Sequence, residues 1–117
     1  MQQYELEKRL TIFSSTLIKS LRIIPNTRYN QNVIDQLLRS GTSIGANYHE
    51  ANGAVSRSDF RSKIAICKKE TLETIYWLNI LREIEPQKNQ EITVLSGFCN
   101  EYVRIFTKIL QTLRASV

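Results

Sequence analysis

Glu70 and Glu73 stand one helical turn apart near the middle of the sequence, and carboxylates at that spacing could share general acid–base chemistry. A di-iron site in a helical bundle would need Glu-x-x-His pairs, but the sequence has none and contains a single histidine, His49. Ion pairing with Arg39 or Lys69 is the commoner reason for two neighbouring glutamates. We therefore predict that the protein is not an enzyme and binds no metal or cofactor.

The two cysteines, Cys67 and Cys99, fall at apolar positions of predicted helices. Two isolated cysteines make neither a zinc framework nor a good disulfide framework, so we expect buried, reduced thiols. The chain opens Met-Gln-Gln-Tyr-Glu, with no basic leader and no long apolar run. These features predict no membrane segment and a cytoplasmic location.

Apolar residues recur at three- and four-residue spacing through four blocks, and no block alternates as a β-strand does. Pro25 ends the first block, and Ser56 with Asp59 fits a capping box at the start of the third. Short loops between long helices favour an antiparallel up-down-up-down four-helix bundle, an all-α fold with one domain over residues 1–117. We predict the helices at about residues 3–24, 31–54, 57–83 and 88–114.

Gly41 and Gly45 lie one turn apart inside the second predicted helix. Each glycine costs about 1 kcal/mol against alanine in helix propensity. Together with Ser40 and Ala46 they make this helix thin, and the close approach of another helix would compensate for that cost.

The third predicted helix is apolar on two sides. Its core stripe centres near Cys67 and Leu78, whereas Ile66, Trp77 and Ile80 point about 90° or more away from that stripe. Helices that are apolar on two sides are usually buried on two sides. Either a neighbouring subunit or the fourth helix therefore covers the second face.

Polar residues border this second face. An antiparallel hairpin between the second and third helices brings Arg39 within a turn of Glu73, which predicts an ion pair within or between chains. Such a pair sets register more than it stabilises, because desolvation offsets much of the Coulomb attraction. The predicted interface and register residues are Arg39, Glu50, Ile66, Glu70, Glu73, Trp77 and Ile80.

Sixteen Lys and Arg residues against eleven Asp and Glu give a net charge of +5 and a pI near 9.4. Basic residues form stripes on the first, third and fourth helices, which would suit phosphate contacts without base specificity. Interspersed acidic residues allow the alternative that these stripes are solvated surface. The candidate nucleic-acid contacts are Lys8, Lys19, Arg22, Arg57, Arg61, Lys68, Arg104 and Lys108.

Several segments carry a resemblance to a known family. The chain resembles the bacterial four-helix bundle proteins, also called 23S ribosomal RNA intervening-sequence proteins because some are encoded within insertions in the rRNA gene. Gly41 departs from this pattern, in which alanine is commoner. The resembling segments are Leu38-Arg-Ser-Gly-Thr-Ser-Ile-Gly-Ala-Asn47, Glu50-Ala51, Ser56-x-x-Asp59-Phe60, Lys69-Glu70 and Glu73-Thr-Ile-Tyr-Trp-Leu78.

The resemblance implies a four-helix bundle that assembles into a ring, a homopentamer. It also implies kinship with the accessory variability proteins of diversity-generating retroelements, which associate with reverse transcriptase and nucleic acid. No enzymatic activity follows from it. Two functions stay open: a basic ring that binds RNA, DNA or a ribonucleoprotein, and a protein–protein interaction scaffold that binds no nucleic acid.

Overall fold

The structure is a computed structural model that describes residues 2–115. It contains four long α-helices and one short 3₁₀ helix, Pro86–Lys88, that leads into the last of them. Within the described residues there is no β-strand, so the predicted all-α class with four helices is confirmed. The helices are α1 (Gln3–Arg22), α2 (Arg28–Asn52), α3 (Arg57–Ile84) and α4 (Asn89–Ala115).

The helix ends follow local capping. Ser56 caps α3 as predicted, with its hydroxyl accepting a hydrogen bond from the Asp59 backbone N–H at 3.0 Å. The α2 helix begins at Arg28, three residues before its predicted start. Thr27 caps it, because the threonine hydroxyl accepts a hydrogen bond from the Asn30 backbone N–H at 3.1 Å. A threonine before a helix is a recognisable start signal, and it marks this boundary better than the apolar periodicity does.

Cross-helix contacts show that neighbouring helices run antiparallel. Near the start of α1, Glu7 bonds to Asn52 at the end of α2, and near the start of α3, Arg57 bonds to the Leu113 carbonyl near the end of α4. Arg39 of α2 reaches α3, and Arg9 of α1 reaches α4. The result is a rod of 48 × 22 × 20 Å in which α1 lies diagonally opposite α3. None of the described helices is both long and apolar enough to cross a membrane.

The core runs along the rod axis. Aromatic rings from three helices meet in it, with Phe13 edge-on to Tyr102 at 5.6 Å and Tyr48 tilted against Phe106 at 6.1 Å. Both cysteines are buried in this core as free thiols. The other buried apolar residues are Leu6, Leu10, Leu17, Leu21, Ile24, Val33, Leu37, Ile44, Ala51, Ile64, Leu78, Leu81, Ile92 and Leu95.

The two glycines of α2 do allow a close approach, and the approaching helix is α1. A β-carbon on Gly41 would stand 2.1 Å from Leu17 Cδ2, and one on Gly45 would stand 3.4 Å from Leu10 Cβ. Leu17 is fully buried, so its side chain occupies the space that the methyl group of an alanine would need. The missing side chain at Gly41 is therefore part of the packing.

Alanine substitutions at the two glycines should have opposite effects. Gly45→Ala meets only ordinary van der Waals contacts and should stabilise the fold by up to about 1 kcal/mol through helix propensity. Gly41→Ala must displace a fully buried leucine, and overpacking of this kind costs about 1–3 kcal/mol. Urea unfolding of both variants measures the difference. Equal stability of the two variants would contradict the packing described for α1 and α2.

Candidate interface and nucleic-acid-binding surfaces

Arg39 joins α2 to α3 through two carboxylates of the same chain. Its guanidinium donates from Nη1 to Glu70 Oε2 at 3.2 Å and from Nη2 to Glu73. About two to three helical turns away, Lys63 binds Glu50 at 3.0 Å. The predicted pairing of Arg39 with Glu73 is thus formed within a chain, and Glu50, Glu70 and Glu73 all lie along the same groove between α2 and α3. We call the set of Arg39, Glu50, Lys63, Glu70 and Glu73 the charged seam.

The two glutamates that bind Arg39 differ in environment. Burial, aided by a hydrogen bond to Glu73, raises the pKa of Glu70, whose side chain is only 11% exposed. The Arg39 hydrogen bond lowers the pKa of Glu73, and the Trp77 indole N–H adds to this effect. Arg39 thus holds the Glu70 carboxylate at the edge of the core. This structural role accounts for the neighbouring positions of Glu70 and Glu73 without acid–base chemistry.

Other polar residues of α2 and α3 bond to their own helices. Ser43 donates to the Arg39 carbonyl at 2.5 Å, and Asn47 donates to the Ser43 carbonyl at 2.8 Å. Between the helices, the buried Thr74 hydroxyl lies 2.9 Å from the Ser40 hydroxyl. Among the described residues, no buried side-chain nitrogen or oxygen is left without a partner. These local bonds let polar residues enter a tightly packed helix pair.

The second face of α3 is partly different from its prediction. Ile66 is exposed, but Trp77 and Ile80 are half-buried against the core of their own chain. Helical phase gives the direction in which a side chain leaves the backbone, and a large side chain can bend back from there onto its neighbours. Leu72 and Tyr76, which the sequence analysis did not single out, are instead about half exposed. A subunit interface here stays a prediction.

An apolar seam between α1 and α4 was missed by the sequence analysis. Of the neighbouring pairs among the four long helices, α1 and α4 are the least closely packed, and Ile12, Val94 and Phe98 stand exposed along the opening. The Arg9–Glu101 salt bridge, 2.6 Å long, crosses it, with the guanidinium 5.5 Å from the Tyr102 ring. Phase analysis of α1 and α4, applied as it was to α3, would have found these outward apolar residues.

Two grooves follow this α1–α4 seam, one on each side of the salt bridge. The smaller has a volume of about 160 Å³ and is lined by Ile12, Phe13, Thr16 and Phe98 together with Arg9 and Tyr102. The larger has a volume of about 470 Å³ and is lined by Leu6, Tyr48, Ile105, Lys108, Ile109, Thr112 and Leu113. The seam is therefore an elongated apolar surface interrupted by one ion pair.

The predicted basic residues are distributed unevenly. Lys19 and Arg22 lie at one end of the rod, where α1 finishes, and Lys68 is half-buried near its middle. The remaining candidates lie towards the opposite end, formed by the start of α1 and α3 and the finish of α2 and α4. This basic end contains Lys8, Arg57, Arg61, Arg104 and Lys108, and also Arg114, which was not predicted.

Within the basic end, Arg61 and Arg114 come together across a groove of about 420 Å³ between α3 and α4. The hydroxyls of Ser58 and Ser62 line the same groove. Two guanidinium groups with neighbouring hydroxyl donors suit a phosphate group. Two acidic residues at this end already have partners, since Glu7 binds His49 and Asn52, and Glu50 binds Lys63.

Groups with catalytic potential are poorly placed for it. His49 is exposed and lies 2.6 Å from Glu7, whose pKa is lowered first by that hydrogen bond. Burial raises the pKa of the Cys67 and Cys99 thiols to about 12, which disfavours the nucleophilic thiolate. In the described part of the chain no three His, Cys, Asp or Glu residues gather as a metal site requires. The lack of catalytic function remains a prediction.

Thiol reactivity should report this burial. Because only a small fraction of each thiol is ionised and both are shielded, Ellman's reagent should not modify Cys67 or Cys99 in the folded protein within minutes at pH 8. Both thiols should react promptly in concentrated urea. A thiol that titrates quickly in the folded protein would contradict the packing of its helix.

Removal of the Arg39 guanidinium should destabilise the fold, because it leaves Glu70 buried without its cation. We expect the free energy of unfolding to fall by about 1–2 kcal/mol at pH 7. This value lies between those for exposed and buried ion pairs, since the Arg39 side chain is 48% exposed. Thermal or urea unfolding of Arg39→Ala measures this change. Arg28→Ala, which removes an exposed arginine from the same helix, is the matched control.

The pH dependence of this loss has a defined sign. The pKa of Glu73 is lowered in the folded protein. Its contribution to stability is therefore present above the ordinary glutamate pKa and is lost as the pH falls through the pKa of Glu73 in the folded state. The raised pKa of Glu70 means that the folded protein accepts a proton there more readily. The deficit of Arg39→Ala should therefore shrink as the pH falls, and Glu70→Gln should partly rescue it at pH 7. A deficit that grows in acid, or no deficit at all, would refute this role.

Comparison with known proteins identifies the family of this chain. Residues 4–108 match the family model described as 23S rRNA-intervening sequence protein. A solved structure of a protein of unknown function from the S23 ribosomal protein family of Bacteroides thetaiotaomicron superposes with a TM-score of 0.83. It is 31% identical, and the alignment covers 95% of this chain and 99% of that one. No curated protein sequence matches the chain. The chain belongs to the 23S rRNA-intervening sequence protein family.

Proposed function

We propose that this protein is a non-enzymatic, cytoplasmic scaffold that assembles with copies of itself and binds the phosphate backbone of RNA through its basic end. The observation that carries the proposal is that Arg61 and Arg114 line the two sides of the groove between α3 and α4. Arg57 begins α3 beside this groove and donates to the Leu113 carbonyl at 2.8 Å, which holds its guanidinium near the same surface. Clustered guanidinium groups of this kind suit phosphate oxygens.

RNA is the first choice of nucleic acid because the solved relative is assigned to a ribosomal protein family. The proposed contacts address phosphates rather than base edges, so we expect weak sequence preference and strong salt dependence. A ribonucleoprotein would present the same phosphate surface.

Self-assembly into a ring, a homopentamer, is the second part of the proposal. It is supported by exposed apolar residues on opposite sides of the rod, Leu72 and Tyr76 on α3 and Ile12 and Phe98 on the α1–α4 seam. Exposed apolar patches of this kind mark interaction surfaces in soluble proteins. Several copies would multiply the basic groove and raise the avidity for a polyanion. Kinship with the retroelement accessory proteins would fit such an assembly.

A protein–protein interaction scaffold without nucleic acid binding is the alternative function. The same exposed apolar residues favour it, because they need a protein partner whether or not RNA binds. The two functions differ in what the basic end does, and a binding assay with charge variants separates them.

Fluorescence anisotropy with a labelled RNA hairpin tests the basic end. The double variant Arg61→Gln with Arg114→Gln should weaken binding at least about tenfold in low salt. It should also reduce the slope of the logarithm of the binding constant against the logarithm of the salt concentration by about one for each lost phosphate contact. Lys19→Gln with Arg22→Gln, at the opposite end of the rod, removes the same charge and is the matched control.

Two results would reject the proposal of RNA binding. One is a wild-type protein that does not bind the hairpin at low salt, and the other is an affinity that does not fall as salt rises. Either result would favour the protein-only scaffold. Equal weakening by both double variants would show that net charge acts without the groove.

A further inference from the structure

We propose that the outer face of α3 in one copy packs against the α1–α4 seam of the next copy, with the two rods side by side and parallel. This inference rests on the proposed self-assembly and names its two surfaces. The α3 face presents Leu72 and Tyr76, which are 50% and 56% exposed. The seam presents Ile12, Val94 and Phe98, which are 55%, 55% and 40% exposed.

The two surfaces lie at the same height along the rod. Thr74, which stands between Leu72 and Tyr76 in sequence, bonds to Ser40 of α2. Next along α2, Gly41 packs on Leu17 of α1, and the neighbouring Thr16 lines the same groove as Phe98.

The outward apolar residues of α3 are thus level with Phe98 on the other side of the molecule. A rotation about an axis parallel to the rod would bring the two surfaces together without an axial shift.

The charges beside the two surfaces are complementary in the same arrangement. Arg9 binds Glu101 at the seam. Glu101 stands three residues after Phe98 on α4, and α3 runs antiparallel to α4, so Glu101 is level with Thr71, three residues before Thr74.

Lys69 of α3 is exposed and stands two residues before Thr71, about 3 Å along the rod from the level of Glu101. It would face the partly exposed Glu101 carboxylate of the next copy. Charge pairing therefore favours the same parallel register as the apolar residues.

The area is sufficient for a stable contact. A standard interface buries about 800 Å² on each partner. A rod 48 Å long and 20–22 Å wide offers that area on one side. Because the two surfaces differ and face away from one another, the contact is heterologous, and repetition of it closes a ring or extends a filament. A second copy of this chain is the occupant because the chain carries both halves of the contact.

Directed disulfide formation between two different variants tests the contact. Tyr76→Cys and Val94→Cys are prepared separately with different tags, mixed, and oxidised mildly. Each substitution replaces a side chain that is more than half exposed, so the fold should survive. We expect a disulfide-linked dimer that contains one copy of each tag. Neither variant oxidised alone should give a linked dimer, because the surface does not face itself.

Asn100→Cys is the matched control for Val94→Cys. It is exposed on the same helix but turned about 120° away, so it should not link to Tyr76→Cys. The native cysteines are buried and should not interfere.

Light scattering on the same samples separates the possible failures. An oligomer in which Tyr76→Cys and Val94→Cys do not link, or in which one variant links to itself, would overturn this interface and leave self-assembly standing. A wild-type monomer would overturn both. Loss of RNA binding alone would leave the interface intact.

Discussion

The close packing of α2 against both of its neighbours is the constraint on which the structure depends. On one side, Leu17 fills the space above Gly41, so α1 approaches the α2 backbone. On the other side, the Ser40–Thr74 hydroxyl contact and the Arg39 ion pairs hold α3. α1 packs more closely on α2 than on α4, and the apolar seam lies along this looser side of the bundle.

This arrangement separates two kinds of surface. The long sides of the rod carry apolar residues, such as Phe98 on the seam and Tyr76 on α3, whereas the arginine groove lies at one end. If copies associate side by side and parallel, their sides become buried and their basic ends collect on one rim. Assembly and phosphate binding would then support one another, since every added copy brings another arginine pair to the same rim.

The sequence predicted the features that depend on neighbours along the chain or one helix turn away. The helices, the Ser56 cap, the thin segment at Gly41 and the contact of Arg39 with Glu73 all follow from periodicity, propensity and hairpin register. The identity of the helix that approaches Gly41 does not follow, because it depends on how all four helices share the core. The half-burial of Trp77 escaped for a related reason: helical phase gives a direction and not the final position of a large side chain.

A crystal structure of the assembled protein would test the central claim most directly, which is that the apolar seam opposite α2 receives α3 of a parallel neighbour. The account predicts a closed ring in which Tyr76 of each copy contacts the seam near Phe98 and every Arg61–Arg114 groove lies on one rim. Copies that alternate in direction, or that leave the seam open to solvent, would contradict it.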